Sequence, residues 1–411
     1  MSMTPKQDNA KVNWLSQNRH LIILCFLVLI VMAISANQAW LNPDPKRGPQ
    51  WRPISSLPLY WQYNMDSYWE FVSAARFPTL FEKHNLRVNR PLYPGIVKLI
   101  SFIYYLPLKL IITDPTYGAA MLGYITFKML IFLLFVFAAY KLLKYFIPEE
   151  PAVLGIALML TSRLTIVNIG TFHTFELHMI SGVFVCFLFY NLCLKYSHTK
   201  NFLFALLGGL LLLGRQNYAP YLACIIFGLY KRKWKETALG CVGLLLPKLI
   251  WYLFVSYQGY SYSDHEMQND QMLVWVWNLL VNQPIFVWCE KIDYYFSNYL
   301  TSFGIYLPLA FAGLTLLAFQ KNTPSKNQWV FMLMMVFTCF AQIVASKKGS
   351  GYIGYEIQWW IMGSAAYAIV HVIRRLGINN VFAAVWGIVG LNLIWQVARL
   401  VNYPWIHPFD Q

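Results

Sequence analysis

The reading of the fold turns on Pro91 to Lys144, PLYPGIVKLISFIYYLPLKLIITDPTYGAAMLGYITFKMLIFLLFVFAAYKLLK. It holds two apolar runs. The second, Ala119 to Tyr140, is long enough to cross a hydrocarbon core of about 30 Å. It ends in Lys141 and Lys144, which the positive-inside rule assigns to the cytoplasm. The first, residues 92–112, also has the length of a span, but Lys98, Pro107 and Lys109 interrupt it. If it crossed fully, Lys141 and Lys144 would emerge outside. We therefore read 92–112 as an interfacial or partly inserted helix, and every other crossing takes its direction from that choice.

Working outward, residues 1–19 are polar and carry Lys6, Lys11 and Arg19, which makes the N-terminus cytoplasmic. Leu21 to Trp40 crosses outward, with no small-residue cleavage site after it, and reads as a retained anchor. Asn42-Pro43-Asp44-Pro45 then breaks the helix. A first outer loop covers 41–118, with a short helix from Ser67 to Ala75. Downstream crossings read as Pro151–Val167, Met179–Leu194, the short pair Phe202–Leu213 and Tyr218–Tyr230, and Ala238–Val255. Tyr299–Phe319, Trp329–Ala345, Ile353–Val372 and Val381–Val397 complete the set. A second outer loop, 256–298, contains a Trp-rich stretch, 272–289, suited to lying on the membrane. The expected fold is an all-α polytopic membrane protein: one transmembrane domain over 1–411, about eleven spans by length, and an outer C-terminus.

Composition agrees with that class. The chain is 58% hydrophobic and 12% charged, where soluble domains hold about 25% charged residues. The net charge of +15 is scattered over short loops rather than gathered in a basic domain, which argues against a nucleic-acid partner. Every inner loop has at least two Lys or Arg. The first outer loop is also basic (Lys46, Arg47, Arg52, Arg76, Lys83, Arg87, Arg90), and cations on that side fit an anionic partner. The seven cysteines lie mostly inside apolar runs without CxxC spacing, and read as small core residues.

The residues able to carry chemistry fall on the outer side. Asp66 is either the N-cap of the short helix or a general base for an acceptor hydroxyl. Glu70 follows it by four positions, on the same helical face. His173-x-x-Glu176-x-His178 resembles a zinc-helix motif but misses it, because its histidines are five apart instead of four. Glu176 either pairs with Arg163 or Arg215 or serves a site; a carboxylate at the end of a span needs one or the other. Arg215 stands between two short apolar runs and suits a phosphate, which arginine grips with two parallel hydrogen bonds. Arg87 and Arg90 form a second cationic group, and Lys347, Lys348 and Tyr352 a third, which also reads as a solvated loop with an interfacial tyrosine. The two carboxylates and three cationic groups would surround an anionic lipid head group arriving from the bilayer.

In this arrangement the chain resembles the GT-C superfamily of membrane glycosyltransferases. The likeness rests on Asp66 after the first span, Arg90-Pro91-Leu92-Tyr93-Pro94 ahead of the interfacial helix, Glu176 and Arg215. It is nearest to the bacterial enzymes that use polyprenyl-phosphate sugars. The resemblance implies a sugar donor on polyprenyl phosphate and a glycan, lipid or protein acceptor. It implies an inverting transfer on the periplasmic face of the inner membrane, with membrane lipids as partners. Asp66 would be the catalytic base, with Glu176, Glu70 and His173 on the acceptor side. Arg87, Arg90, Arg215, Lys347, Lys348 and Tyr352 would hold the lipid phosphate. The chain departs from the family where Ser67 follows Asp66 in place of a second acid, and where Glu stands at the second acidic position. Both departures point to transfer without a metal or other cofactor. Two further classes stay open: a lipid or glycan transporter or flippase, and an acyl- or phosphotransferase using His173 or His178.

Overall fold

A computed structural model describes residues 8–36, 51–53, 60–62, 71–81, 90–169, 177, 179–185, 198–214, 219–259, 303–319 and 355–402, with isolated positions between 281 and 337. Within these residues the protein is helical apart from one antiparallel ribbon, β1 (Trp51–Pro53) on β2 (Tyr60–Gln62).

Helix α1 (Asp8–Ala36) begins well before the apolar run; its membrane-crossing part is Asn18–Ser35. Helix α2 (Leu92–Lys109) and α3 (Thr116–Phe146) follow, then α4 (Glu149–Leu160) and α5 (Arg163–Ile169). The expected single span from Pro151 to Val167 is thus broken at Thr161-Ser162. The break is stabilised by side chains: the Ser162 hydroxyl donates to the Met159 carbonyl, and the Thr161 hydroxyl to that of Ala157. Neither residue has strong helix propensity, and their hydroxyls bond back to the preceding turn.

Next come α6 (His198–Gly214), α7 (Ala219–Tyr230) and α8 (Trp234–Tyr257), and near the C-terminus α9 (Tyr306–Ala318), α10 (Tyr355–Arg375) and α11 (Val381–Asn402). Four described helices are long and apolar enough to cross a membrane: Asn18–Ser35, Thr116–Lys144, Trp234–Tyr257 and Val381–Arg399. Three shorter apolar helices accompany them. The chain is a multi-pass membrane protein.

The core centres on α4, where every residue from Pro151 to Leu160 is buried. A helix apolar on all faces can only sit inside others. Glycines set the closest approaches. A Cβ on Gly155 would lie 2.6 Å from Gly363 Cα of α10, so the two backbones touch there. One residue further along α10, Gly313 of α9 meets the backbone of Ser364. Small residues at such crossings are how membrane helices gain packing without a hydrophobic driving force.

The ends of the bundle can be assigned from contacts. Lys141 Nζ of α3 donates to Asn18 Oδ1 of α1 at 3.5 Å, so α1 starts where α3 finishes. Arg374 at the end of α10 pairs with Glu150 at the start of α4 at 2.9 Å, on that same side. Helix α3 has 31 residues, about 46 Å at 1.5 Å per residue, against about 30 Å of hydrocarbon. Counting back some twenty residues from Lys144 puts the other boundary at Tyr124, and the first turns of α3 project beyond it. Helix α2 meets α3 at that level: Tyr93 packs on Tyr124 and Phe127 with ring centroids 4.8 and 5.0 Å apart. Gly123 approaches Val97 and Ser101 so closely that a Cβ would lie 2.8 Å from the Val97 carbonyl. These contacts set the first half of α2 against residues 123–127 of α3.

Candidate functional site

The outer loop is pinned to α2 and α3 by its short helix. Residues 71–75 are helical, and the carbonyl of Ala75 near its end accepts a hydrogen bond from Lys98 Nζ at 2.8 Å. A lysine at a helix C-terminus satisfies a carbonyl that has no intrahelical partner and complements the helix dipole. Phe71 packs against Tyr117 at 5.7 Å, and the Arg76 guanidinium lies 5.3 Å from the centre of the same ring. Thus the projecting first turn of α3 is the platform on which this helix rests. Asp114 steadies that turn: its carboxyl is held below the usual carboxylate range by the Thr116 hydroxyl and backbone N–H, the latter at 3.1 Å.

The junction behind this platform is formed by three separate elements. Gly214, the last residue of α6, lies against the Leu177 side chain, and its Cβ position is 3.5 Å from Leu92 Cδ2. Leu92 opens α2, and Leu177 belongs to the helical stretch that includes 179–185. In sequence, Leu92 is two residues after Arg90, Leu177 follows Glu176, and Gly214 precedes Arg215. Arg90 itself is described and half-buried. Asp66, Glu70, Arg87, His173, Glu176, Arg215, Lys347, Lys348 and Tyr352 lie outside the described residues.

One charged residue passed over in the sequence belongs in this account. Lys128 is fully buried in α3, one position after the Phe127 ring that packs on Tyr93. Its signal was present as the single cation inside the run from Ala119 to Tyr140. An ionisable group at membrane depth faces the bundle interior and marks a functional position more often than a surface charge does. The break between α4 and α5 also forms a buried polar network. Gln358 Nε2 donates to Ser162 Oγ at 3.0 Å, Asn392 Nδ2 to Thr161 Oγ1 at 2.8 Å, and the Tyr306 hydroxyl to Asn392 Oδ1 at 3.0 Å. Three distant helices, α9, α10 and α11, are thereby tied to the kink. Among the described residues no group of His, Cys, Asp or Glu has the arrangement of a metal site.

With this geometry in hand, the fold can be compared with solved structures. The Archaeoglobus fulgidus oligosaccharyltransferase in complex with Zn and sulfate matches with a TM-score of 0.54 at 14% identity, over 91% of this chain and 52% of that one. The same archaeal enzyme tethered through a disulfide bond to an acceptor peptide containing the NVT sequon gives 0.53 at 12% identity, over 95% and 55%. The chain spans about half the length of these structures. No family model and no curated relative matches it. At such identities the likeness is one of fold alone: the chain shares the helical architecture of the matched half of the archaeal enzyme.

Proposed function

We propose that this chain is a membrane glycosyltransferase. It transfers a sugar from a polyprenyl-phosphate donor to an acceptor hydroxyl on the outer face, with inversion at the anomeric carbon. The observation that carries this reading is the packing of Leu92, Leu177 and Gly214. Leu92, Leu177 and Gly214, near Arg90, Glu176 and Arg215 in sequence, meet one another from elements far apart in the chain. The GT-C-like fold supports it. Asp66 accepts the proton of the attacking hydroxyl as the new glycosidic bond forms, and the sugar–phosphate bond breaks on the opposite side. Arg87, Arg90, Arg215, Lys347, Lys348 and Tyr352 stabilise the polyprenyl phosphate that leaves. Glu176, Glu70 and His173 position the acceptor. Lys128 adds a buried cation at the level of Tyr93.

The archaeal structure carries an acceptor peptide. Since only about half of that protein is matched, the acceptor here stays a glycan, a lipid or a protein. The test is turnover of a polyprenyl-phosphate sugar by the purified chain and two variants. Asp66→Asn is expected to lower kcat by about 100- to 10,000-fold, the usual share of a general base, with donor binding retained. Arg215→Ala is expected to weaken donor binding by several kcal/mol. Turnover by Asp66→Asn at the parent rate would leave Asp66 a helix cap.

A further inference from the structure

At the Lys141 end of the bundle, opposite the Gly214 junction, a polar pocket of about 370 Å³ opens between α1, α3, α4 and α11. Arg19 and His20 of α1, Lys141 and Lys144 of α3, Glu149 of α4 and Phe382 of α11 line it. Three cations thus face one carboxylate. Glu149 is ionised there: burial would raise its carboxyl, but the Tyr140 hydroxyl and the Lys144 ammonium, 3.3 Å away, outweigh that and hold it below its ordinary value. Neighbouring Glu150 is already paired with Arg374. Two positive charges remain uncompensated among these groups, at the rim of a membrane where counter-charge is scarce.

His20 supplies a second, independent sign of a missing ligand. Its ring is 6% exposed and is stacked on Phe382 at 3.9 Å, so it cannot turn freely. Arg19 Nε donates to its Nε2 at 3.0 Å, which makes that nitrogen the acceptor and places the ring proton on Nδ1. This Nδ1 is buried and has no hydrogen-bond partner. A buried donor without an acceptor is costly unless something outside the chain accepts from it.

The helix surfaces below the pocket identify the source of the anion. On α3, Leu130, Leu134 and Phe137 are exposed and form a stripe with helical spacing that ends at Lys141. On α1, Ile30, Phe26 and Ile23 form a parallel stripe that ends at Arg19. Each stripe runs from the apolar interior to a cation of the pocket. We propose that the pocket binds a phosphate anion, presented by a phospholipid whose acyl chains lie along these stripes. Arg19 grips the phosphate with its terminal nitrogens, Lys141 and Lys144 neutralise it, and His20 Nδ1–H donates to one of its oxygens.

Native mass spectrometry of the purified chain in neutral detergent tests this, with phosphatidylglycerol, phosphatidylcholine or inorganic phosphate added. The expected result is retention of phosphatidylglycerol at least ten-fold above phosphatidylcholine. Arg19→Gln combined with Lys141→Gln should remove that preference. Glu149→Gln, which deletes the one opposing charge among the described lining residues, should tighten binding several-fold, a gain that a folding defect cannot mimic. Equal retention by the double variant and the parent overturns the site. Inorganic phosphate that binds as tightly as the lipid overturns the lipid source while upholding the anion site.

Discussion

At the scale of single residues, exposed ion pairs and buried charges contribute differently. Arg374 and Glu150 form an exposed pair, of the kind worth about 0–1 kcal/mol. Lys128 is fully buried, where an ammonium group persists only inside a prepared polar environment. The first-loop carboxylates bear on metal dependence. Divalent hard cations collect several carboxylates, whereas Asp66 and Glu70 share their loop with Arg76, Lys83, Arg87 and Arg90, and Ser67, not a second acid, follows Asp66. Transfer by the purified chain is therefore expected to persist in EDTA. Activity lost on chelation and restored by Mn²⁺ or Mg²⁺ alone would instead put Asp66 and Glu176 on a shared ion. Asp66 and Arg215 were visible in sequence as charges beside apolar runs, and both lie outside the described residues. The Leu92–Leu177–Gly214 junction was not, because leucine and glycine at helix ends carry no pattern that distinguishes contact from lipid exposure.

At the scale of elements, glycine separates helices that touch from helices that face open space. The α9–α10 crossing rests on Gly313, whose added methyl would collide with the Ser364 backbone carbonyl, an atom that cannot rotate away. In α11, Gly390 has nothing near its Cβ position. Gly313→Ala is thus expected to destabilise the protein by about 1–3 kcal/mol through overpacking. Gly390→Ala should stabilise it by up to ~1 kcal/mol through helix propensity. Thermal unfolding in detergent checks the pair, and a similar shift for both would remove backbone contact as the cause. Most helices were visible from their apolar runs. The break at Thr161-Ser162 was passed over because neither proline nor glycine marks it, although Thr161-Ser162-Arg163 is a polar interruption of the run. What bends the chain is hydroxyl bonding to the preceding turn, together with Gln358 and Asn392 arriving from α10 and α11. Those are tertiary facts, beyond the reach of a periodicity.

For the whole molecule, the expected sidedness rests on four contacts and one rule. Asn18 meets Lys141, and Glu150 meets Arg374, so α1, α3, α4 and α10 each have one terminus at a common end. In the second helix group, Asn201 of α6 donates to the Glu236 carbonyl of α8, while Gly214 at the far end of α6 abuts Leu92 and Leu177. The basic turn Lys231–Lys235 therefore lies at the opposite end of that group from the Gly214 junction. Arg19, Lys141, Lys144, Lys231, Lys233, Arg374 and Arg375 gather toward one end, which the positive-inside rule predicts to be cytoplasmic. Asp114 sits at the other end of α3, exposed, in the link after α2. In a background freed of the native cysteines, Lys233→Cys and Ile378→Cys should react with a membrane-impermeant maleimide only after the membrane is opened. Asp114→Cys should react from outside in intact cells. The reverse labelling of Asp114 would invert the whole bundle and put the Gly214 junction on the cytoplasmic face. A donor carried on the outer leaflet would then be out of reach of the proposed site.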